Sequence, residues 1–260
     1  MEIVCDTNIW YDLGEKIIAP EIFKDHKLIA TFYNFEELNS TPNLIGEFPK
    51  VKRAGSAIVE HSTKQILENS ILYISQLLNP SYEDSTYQYS LGMRNWGAIR
   101  GMNILPDDFT PSEQMIKEFK VNIENRVEAG KELANSENLF VESKRKAARK
   151  QWKINKSQYF DFTAAYVLHH LNEFLTSFSK GTLQLSKLQE IKDITLFFHV
   201  YIYYHKKLML SPTMKVEAND LYDLYNLVYV KPGMKYCTKE TRWTDIINEA
   251  GLSEYLFTVS

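Results

Sequence analysis

Short apolar runs mark the two ends of the chain, and long amphipathic stretches fill its middle. Glu2 to Cys5 is a β-rich run, Lys27 to Phe32 (KLIATF) a second, Lys235 to Thr238 (KYCT) a third and Tyr255 to Val259 (YLFTV) a fourth. Runs of this length between helical patterns predict strands of a parallel sheet covered on both faces. Helices are predicted from Phe35 onward, over Asp220 to Val230 before Pro232-Gly233, and over Thr241 to Ala250 before Gly251, where proline and glycine act as stops. From about residue 47 to 214 the apolar spacing becomes helical. It is carried by Ile58, Ile66, Leu67, Ile71, Ile74 and Leu78 over 56–78, by a highly charged stretch over 113–152, and by aromatic-rich stretches over 158–178 and 184–210. No fixed repeat or Gly/Ser/Pro-rich linker interrupts this pattern. The expected organisation is therefore one α/β domain over 1–260, with core segments 1–45 and 215–260 and a large, mostly helical elaboration at approximately 46–214.

Composition narrows the setting more than the chemistry. Hydrophobic residues make up 44% of the chain, enough for a substantial core. Thirty Lys plus Arg against 33 Asp plus Glu give a net charge of −3, which leaves the question of partners open. No secretory pattern and no apolar run near the roughly 20 residues of a membrane span is visible, so a cytoplasmic location without a membrane partner is expected. Cys5 and Cys237 lie far apart, each in a predicted buried strand, and read as small core residues of a reducing compartment.

The chemistry is in the acids. The first strand runs directly into Asp6, followed by Thr7 and Asn8. FEELNS places Glu36 and Glu37 in the first turns of the helix after the second strand, NDLYDLYNLVYV places Asp220 and Asp223 at the start of theirs, and CTKETRW places Glu240 just past the third strand. In a parallel α/β sheet these positions share one edge, so several carboxylates from distant parts of the chain converge. Gathered carboxylates repel and resist ionisation unless a cation neutralises them. Oxygen ligands without His or Cys suit Mg²⁺ or Mn²⁺. Such an ion lowers the pKa of a bound water and steadies charge on a phosphate, which points to phosphodiester hydrolysis.

These pieces resemble the PIN domain nucleases, known as ribonuclease toxins of toxin-antitoxin modules and as RNA-processing and RNA-decay factors. IVCDTNIW is similar to the family's opening strand with its Asp-Thr-Asn (Asp6, Thr7, Asn8), and ATFYNFEEL to its second strand and acidic helix, where the Glu before Leu is Glu37. DLYNLVYV followed by YCTKE resembles the late acidic helix and the Thr-x-Asp strand end, matching Asp223, Thr238 and Glu240. NILPDD (Asn103 to Asp108) is a weaker match to a short middle strand. The resemblance spans roughly 1–45 and 215–260, and it departs from the family at Glu240, where Asp is commoner. It implies a three-layer PIN-like α/β/α fold and a metal-dependent endoribonuclease leaving 5′-phosphate and 3′-hydroxyl ends. Asp6, Glu37, Asp223 and Glu240 would be catalytic residues holding Mg²⁺ or Mn²⁺. RNA, single-stranded or structured, is the substrate expected before DNA, with a protein antitoxin or a second copy as partner in a toxin or defence role.

Blander roles compete for the same residues. Asp6 is also a fitting helix N-cap. Thr7 and Asn8 suit a supporting hydrogen-bond role, Glu36 that of a solvated neighbour, and Asp220 that of N-cap and outer support beside Asp223. Lys146, Arg149, Lys150 and Lys153 form a basic helical stripe with Trp152 available to stack on a base, although such runs are usually solvated faces. His169, His170, His199 and His205 lie in Tyr/Phe/Leu-rich helices without a Cys or a paired acid at ligand spacing and read as core or partly exposed histidines. Two rival functions stand beside the nuclease. One is a PIN-like binding module that no longer cuts, presenting a helical surface. The other is an aspartate-nucleophile phosphatase, disfavoured because Asn8 stands where a second acid is needed.

Overall fold

The computed structural model describes residues 1–82, 88–150, 159–178 and 191–259. Four strands form one parallel sheet in the order β3-β2-β1-β4, with β1 at Glu2–Cys5, β2 at Lys27–Thr31, β3 at Ser62–Ile66 and β4 at Lys235–Cys237. Alternation along the strands divides the core in two. Ile3, Cys5, Leu28, Ala30 and Cys237 enter one apolar cluster, whereas Val4, Ile29 and Tyr236 enter the other. A sheet buried on both faces needs the near-continuous apolar strands seen in β1 and β2.

The first cluster is closed by α1 (Thr7–Gly14), α2 (Phe32–Leu38), the short α3 (Asn43–Gly46), α4 (Phe48–His61) and then α6 (Gln88–Asn103). α1 packs on α4 so closely that a Cβ on Gly14 would stand 2.5 Å from the Arg53 carbonyl. The opposite cluster is closed by α5 (Ser70–Leu78), α7 (Glu113–Lys150), α8 (Tyr159–Phe178), α9 (Thr195–Leu210), α10 (Asp220–Asn226) and α11 (Thr241–Glu249). The result is an α/β/α arrangement around a parallel sheet, as the sequence pattern predicts at that level. Among the described residues no helix is long and apolar enough to cross a membrane.

Three sequence expectations are corrected. The helix expected over 56–78 is two helices separated by β3, so the sheet is not confined to 1–45 and 215–260. β3 is an exposed, polar edge strand (STKQI), and without an apolar inner face it shows no strand period. The strand expected over Tyr255–Val259 reduces to one parallel bridge, Tyr236 to Leu256, after a 3₁₀ turn at Ser253–Tyr255. Asn103–Asp108 forms no middle strand, since α6 ends at Asn103.

In the helical layer, burial of charge is matched by partners. Arg145 on α7 donates to the carbonyls of Leu208, Ser211 (2.7 Å) and Met214 (3.1 Å), closing the C-terminal end of α9. Glu137, also on α7, accepts from His205 Nε2 (2.5 Å), from His170 Nε2 (3.0 Å) and from the Tyr201 hydroxyl (3.3 Å). His205 is fully buried, a packing residue as expected, but its acid comes from another helix, out of reach of any spacing rule.

Gly14→Ala is expected to lower stability by about 1–3 kcal/mol, because the new methyl meets main chain that only a shift of α1 against α4 relieves. Urea unfolding read by circular dichroism measures this, and an unchanged midpoint would contradict the close approach.

Candidate active site

β1 is the strand at which the sheet changes direction: β2 and β3 extend from one side of it and β4 lies on the other. In open parallel sheets the crevice beyond the strand C-termini at such a switch is where ligands bind. The register pairs Cys5 with Cys237, so the next residues, Asp6 and Thr238, emerge side by side. The Asp6 amide donates to the Cys237 carbonyl at 2.9 Å. Both cysteines are buried and free, in agreement with their reading as core residues.

Asp6 caps a helix and stands at the crevice. It is the N-cap of α1, its Oδ1 accepting from the Thr7 amide at 2.7 Å. Its Oδ2 accepts from Asn8 Nδ2 at 2.8 Å and from Thr238 Oγ1 at 2.7 Å. The supporting roles expected of Thr7, Asn8 and Thr238 are thus visible as contacts. Glu240 is the N-cap residue of α11, its amide donating to Thr238 Oγ1 at 3.1 Å while its side chain makes no cap bond. Asp223 lies in the first turn of α10, where Trp243 Nε1 donates to its Oδ2 at 3.1 Å. Glu37 is half-buried in the last turn of α2 and not in its first turns, because α2 begins at Phe32. The helix dipole therefore disfavours charge there, whereas it favours charge at the other three.

Each of the four carboxylates repels the other three. Asp6 is affected by Glu37 and Glu240, Asp223 by Asp6, Glu240 and Glu37, and Glu240 by Glu37. Burial first, then Glu37, pushes the Asp6 carboxyl up to about 7, against the lowering bond from Thr238. Burial and then Asp6 push Asp223 up to about 8, and burial and then Glu37 raise Glu240. As placed, no group of three or more His, Cys, Asp or Glu among the described residues could hold a metal ion, so these acids face one another without closing on a point. The donor set is nevertheless oxygen only and partly desolvated, with Arg242 easing the charge of Glu240, and such a set is one Mg²⁺ or Mn²⁺ satisfies.

The other sequence candidates separate clearly. Asp220 does not cap α10, whose N-cap is Asn219. It is engaged instead by Arg242 of α11 through both carboxylate oxygens (Nη2 to Oδ2 2.9 Å), by the Tyr204 hydroxyl (2.6 Å) and by the Glu217 amide (2.8 Å). With its charge answered, Asp220 is a tie between α9, α10 and α11, and Asp223 is left as the acid facing the site. Glu36, expected as a solvated neighbour, is instead half-buried, with burial first raising its carboxyl, Arg126 opposing that and Glu37 adding to it. In the basic stripe Lys146 is exposed and paired with Glu142 at 2.8 Å. Trp152, Lys153 and the side chains of Arg149 and Lys150 lie outside the described residues.

Sequence reasoning missed a neutral network connecting the site's elements. Thr31 Oγ1 donates to Asn226 Oδ1 (2.7 Å), and Asn34 Oδ1 accepts from the Thr31 amide (2.8 Å) and Trp10 Nε1 (3.3 Å). Asn34 Nδ2 in turn donates to Thr7 Oγ1 at 3.1 Å. All are buried, and together they join β2, α1, α2 and α10. Thr31 with Asn34 three positions on was the available signal, a polar variant of the capping box. No protein-family model matches the sequence, and neither a curated protein nor a solved structure matches the chain.

An unfolded chain ionises Asp above about pH 4, whereas the fold keeps protons on Asp6 and Asp223 up to about 7 and 8. Folding therefore takes up protons in that interval, and the associated stability, full below about pH 4, is lost as pH rises through 7 to 8. In the absence of divalent ions, Tm is expected to be lower at about pH 8.5 than at about pH 5.5, and Asp223→Asn should flatten that fall. A Tm that rises over the same interval contradicts this placement.

Proposed function

We propose that this chain is a metal-dependent endoribonuclease with a PIN-like fold. The observation that carries the reading is the mutual repulsion of Asp6, Glu37, Asp223 and Glu240 at the crevice between β1 and β4. Nothing in a folding role calls for four like charges, two of them strongly desolvated, at a sheet's switch point. Their order and contexts also resemble the PIN pattern, with Glu240 standing where that pattern commonly has Asp.

These four carboxylates would hold Mg²⁺ or Mn²⁺, which supplies a water of lowered pKa and positive charge for a phosphate. The chain's own part is positioning and proton handling. Thr238 and Asn8 fix Asp6 Oδ2, and Trp243 fixes Asp223 Oδ2. In the metal-free site burial and the neighbouring acids hold Asp6 and Asp223 near neutrality, so taking up the ion would displace their protons and would be favoured by rising pH. No side-chain nucleophile is required, so Asn8 in place of a second acid is no obstacle. A role as a toxin, defence effector or RNA-processing enzyme, with an antitoxin-like partner, follows the same resemblance. The second reading, a PIN-like module that binds without cutting, draws on the open spacing of the four acids.

Purified chain with Mn²⁺ is expected to cut single-stranded RNA internally, with Asp6→Asn abolishing cleavage and Thr238→Val reducing it roughly 10–100-fold through loss of ligand orientation. Gel analysis of a 5′-labelled RNA reads this out, with Tm confirming folding. Cleavage that survives Asp6→Asn places the chemistry elsewhere, and no cleavage by the unaltered chain favours the binding module.

A further inference from the structure

α2, α6, α7 and α10 line an open cleft of about 590 Å³. Its walls include Glu36, Arg94, Asn95, Asn122, Arg126 and Tyr222. Two of these residues immediately precede site acids, Glu36 before Glu37 on α2 and Tyr222 before Asp223 on α10. Cleft and acids thus share both helices, and a molecule in one lies next to the other.

The lining of the cleft carries two opposite charges, Glu36 and Arg126, that attract one another yet leave hydrogen-bonding atoms open. Glu36 Oε2 and Arg126 Nε are each buried without a hydrogen-bond partner. The Arg126 guanidinium lies over the Tyr222 ring, 4.8 Å from its centroid, which holds the cation in place at the cleft. Asn39 Nδ2 donates to the carbonyls of Phe35 (2.7 Å) and Asn95 (2.9 Å), fixing α2 against α6 and with them the mouth of the cleft. A buried acceptor and a buried donor left open at one place call for a ligand with both functions on one edge. Planar rings with such edges are nucleobases, and proteins read unpaired bases by stacking on aromatic or guanidinium planes and bonding their edges. Guanine fits best: its Watson–Crick edge places two adjacent N–H donors, suited to a carboxylate, beside an O6 acceptor, suited to Arg126. Uracil offers a single donor between two acceptors, and adenine and cytosine lack the adjacent donor pair.

We infer that the cleft between α2, α6, α7 and α10 is a guanine subsite, in which Glu36 and Arg126 select an unpaired guanosine of the RNA beside the bond to be cut. The choice of ligand rests on the nuclease reading of the neighbouring acids. Arg94, exposed at the rim, is placed for the adjoining phosphate.

Binding separates this inference from catalysis. Fluorescent pentanucleotides UUGUU, UUAUU, UUCUU and UUUUU are titrated with the chain in EDTA, and anisotropy is recorded. The guanine pentamer is expected to bind roughly 10-fold tighter than the others. Glu36→Gln should bring it to the level of UUUUU, and Arg126→Gln, the second variant should the first not fold, should weaken it similarly. Equal binding of all four, no binding at all, or a guanine preference that survives both substitutions overturns the inference. Selective binding without cleavage in Mn²⁺ keeps the subsite and removes the nuclease, whereas cleavage of all four pentamers alike by a chain with no preference keeps the nuclease and removes the subsite.

Discussion

The pairing of β1 with β4 is the constraint on which the rest of the structure depends. It sets Cys5 against Cys237 and so brings Asp6 to within 2.7 Å of Thr238, 232 positions later in the sequence. Because side chains alternate at every residue along a strand, a slip of one position would turn Asp6 away from the crevice and break its bonds to Thr238. The register is held by the two cores on either side. Ile3, Cys5 and Cys237 are locked into one, Val4 and Tyr236 into the other, and neither can be shifted without exposing apolar surface.

Around that pairing the molecule separates charges that are answered from charges that are not. Asp220 meets Arg242, Tyr204 and a main-chain amide, and Glu137 meets two histidines and a tyrosine. Buried ions are tolerable in this condition, since removing a partner leaves a charge without compensation. Asp6 and Asp223 accept hydrogen bonds but face carboxylates instead of cations. The contrast within one helix, α10, is instructive. Three positions separate an acid that ties helices together from one held in readiness, and the difference is made by Arg242 and Trp243 on the neighbouring α11.

The parts of this arrangement that were legible in the sequence are those written in local pattern. β1, β2 and β4 are apolar runs bounded by turn signals, and Asp6, Asp223 and Glu240 follow from their places at strand ends and helix starts. β3 was illegible because an exposed edge strand has no buried face to impose a period, and its residues read on from α4 as helix. Glu37 was singled out by resemblance, and its place in α2 was misjudged because Thr31 and Asn34 begin the helix at Phe32 with a polar cap that is easily missed. Arg242, Trp243, Asn226 and Glu137 act through contacts between segments far apart in the chain, and no spacing along the sequence announces them.

The long separation between Asp6 and its partners also orders events in time. On a translating ribosome the first acid is made more than two hundred residues before Thr238 and Glu240, and β1 has only β2 beside it until β4 emerges. During that interval Asp6 lacks its Thr238 support, and the crevice has one wall. The set of acids at the sheet edge thus stays incomplete in the growing chain until β4 pairs with β1.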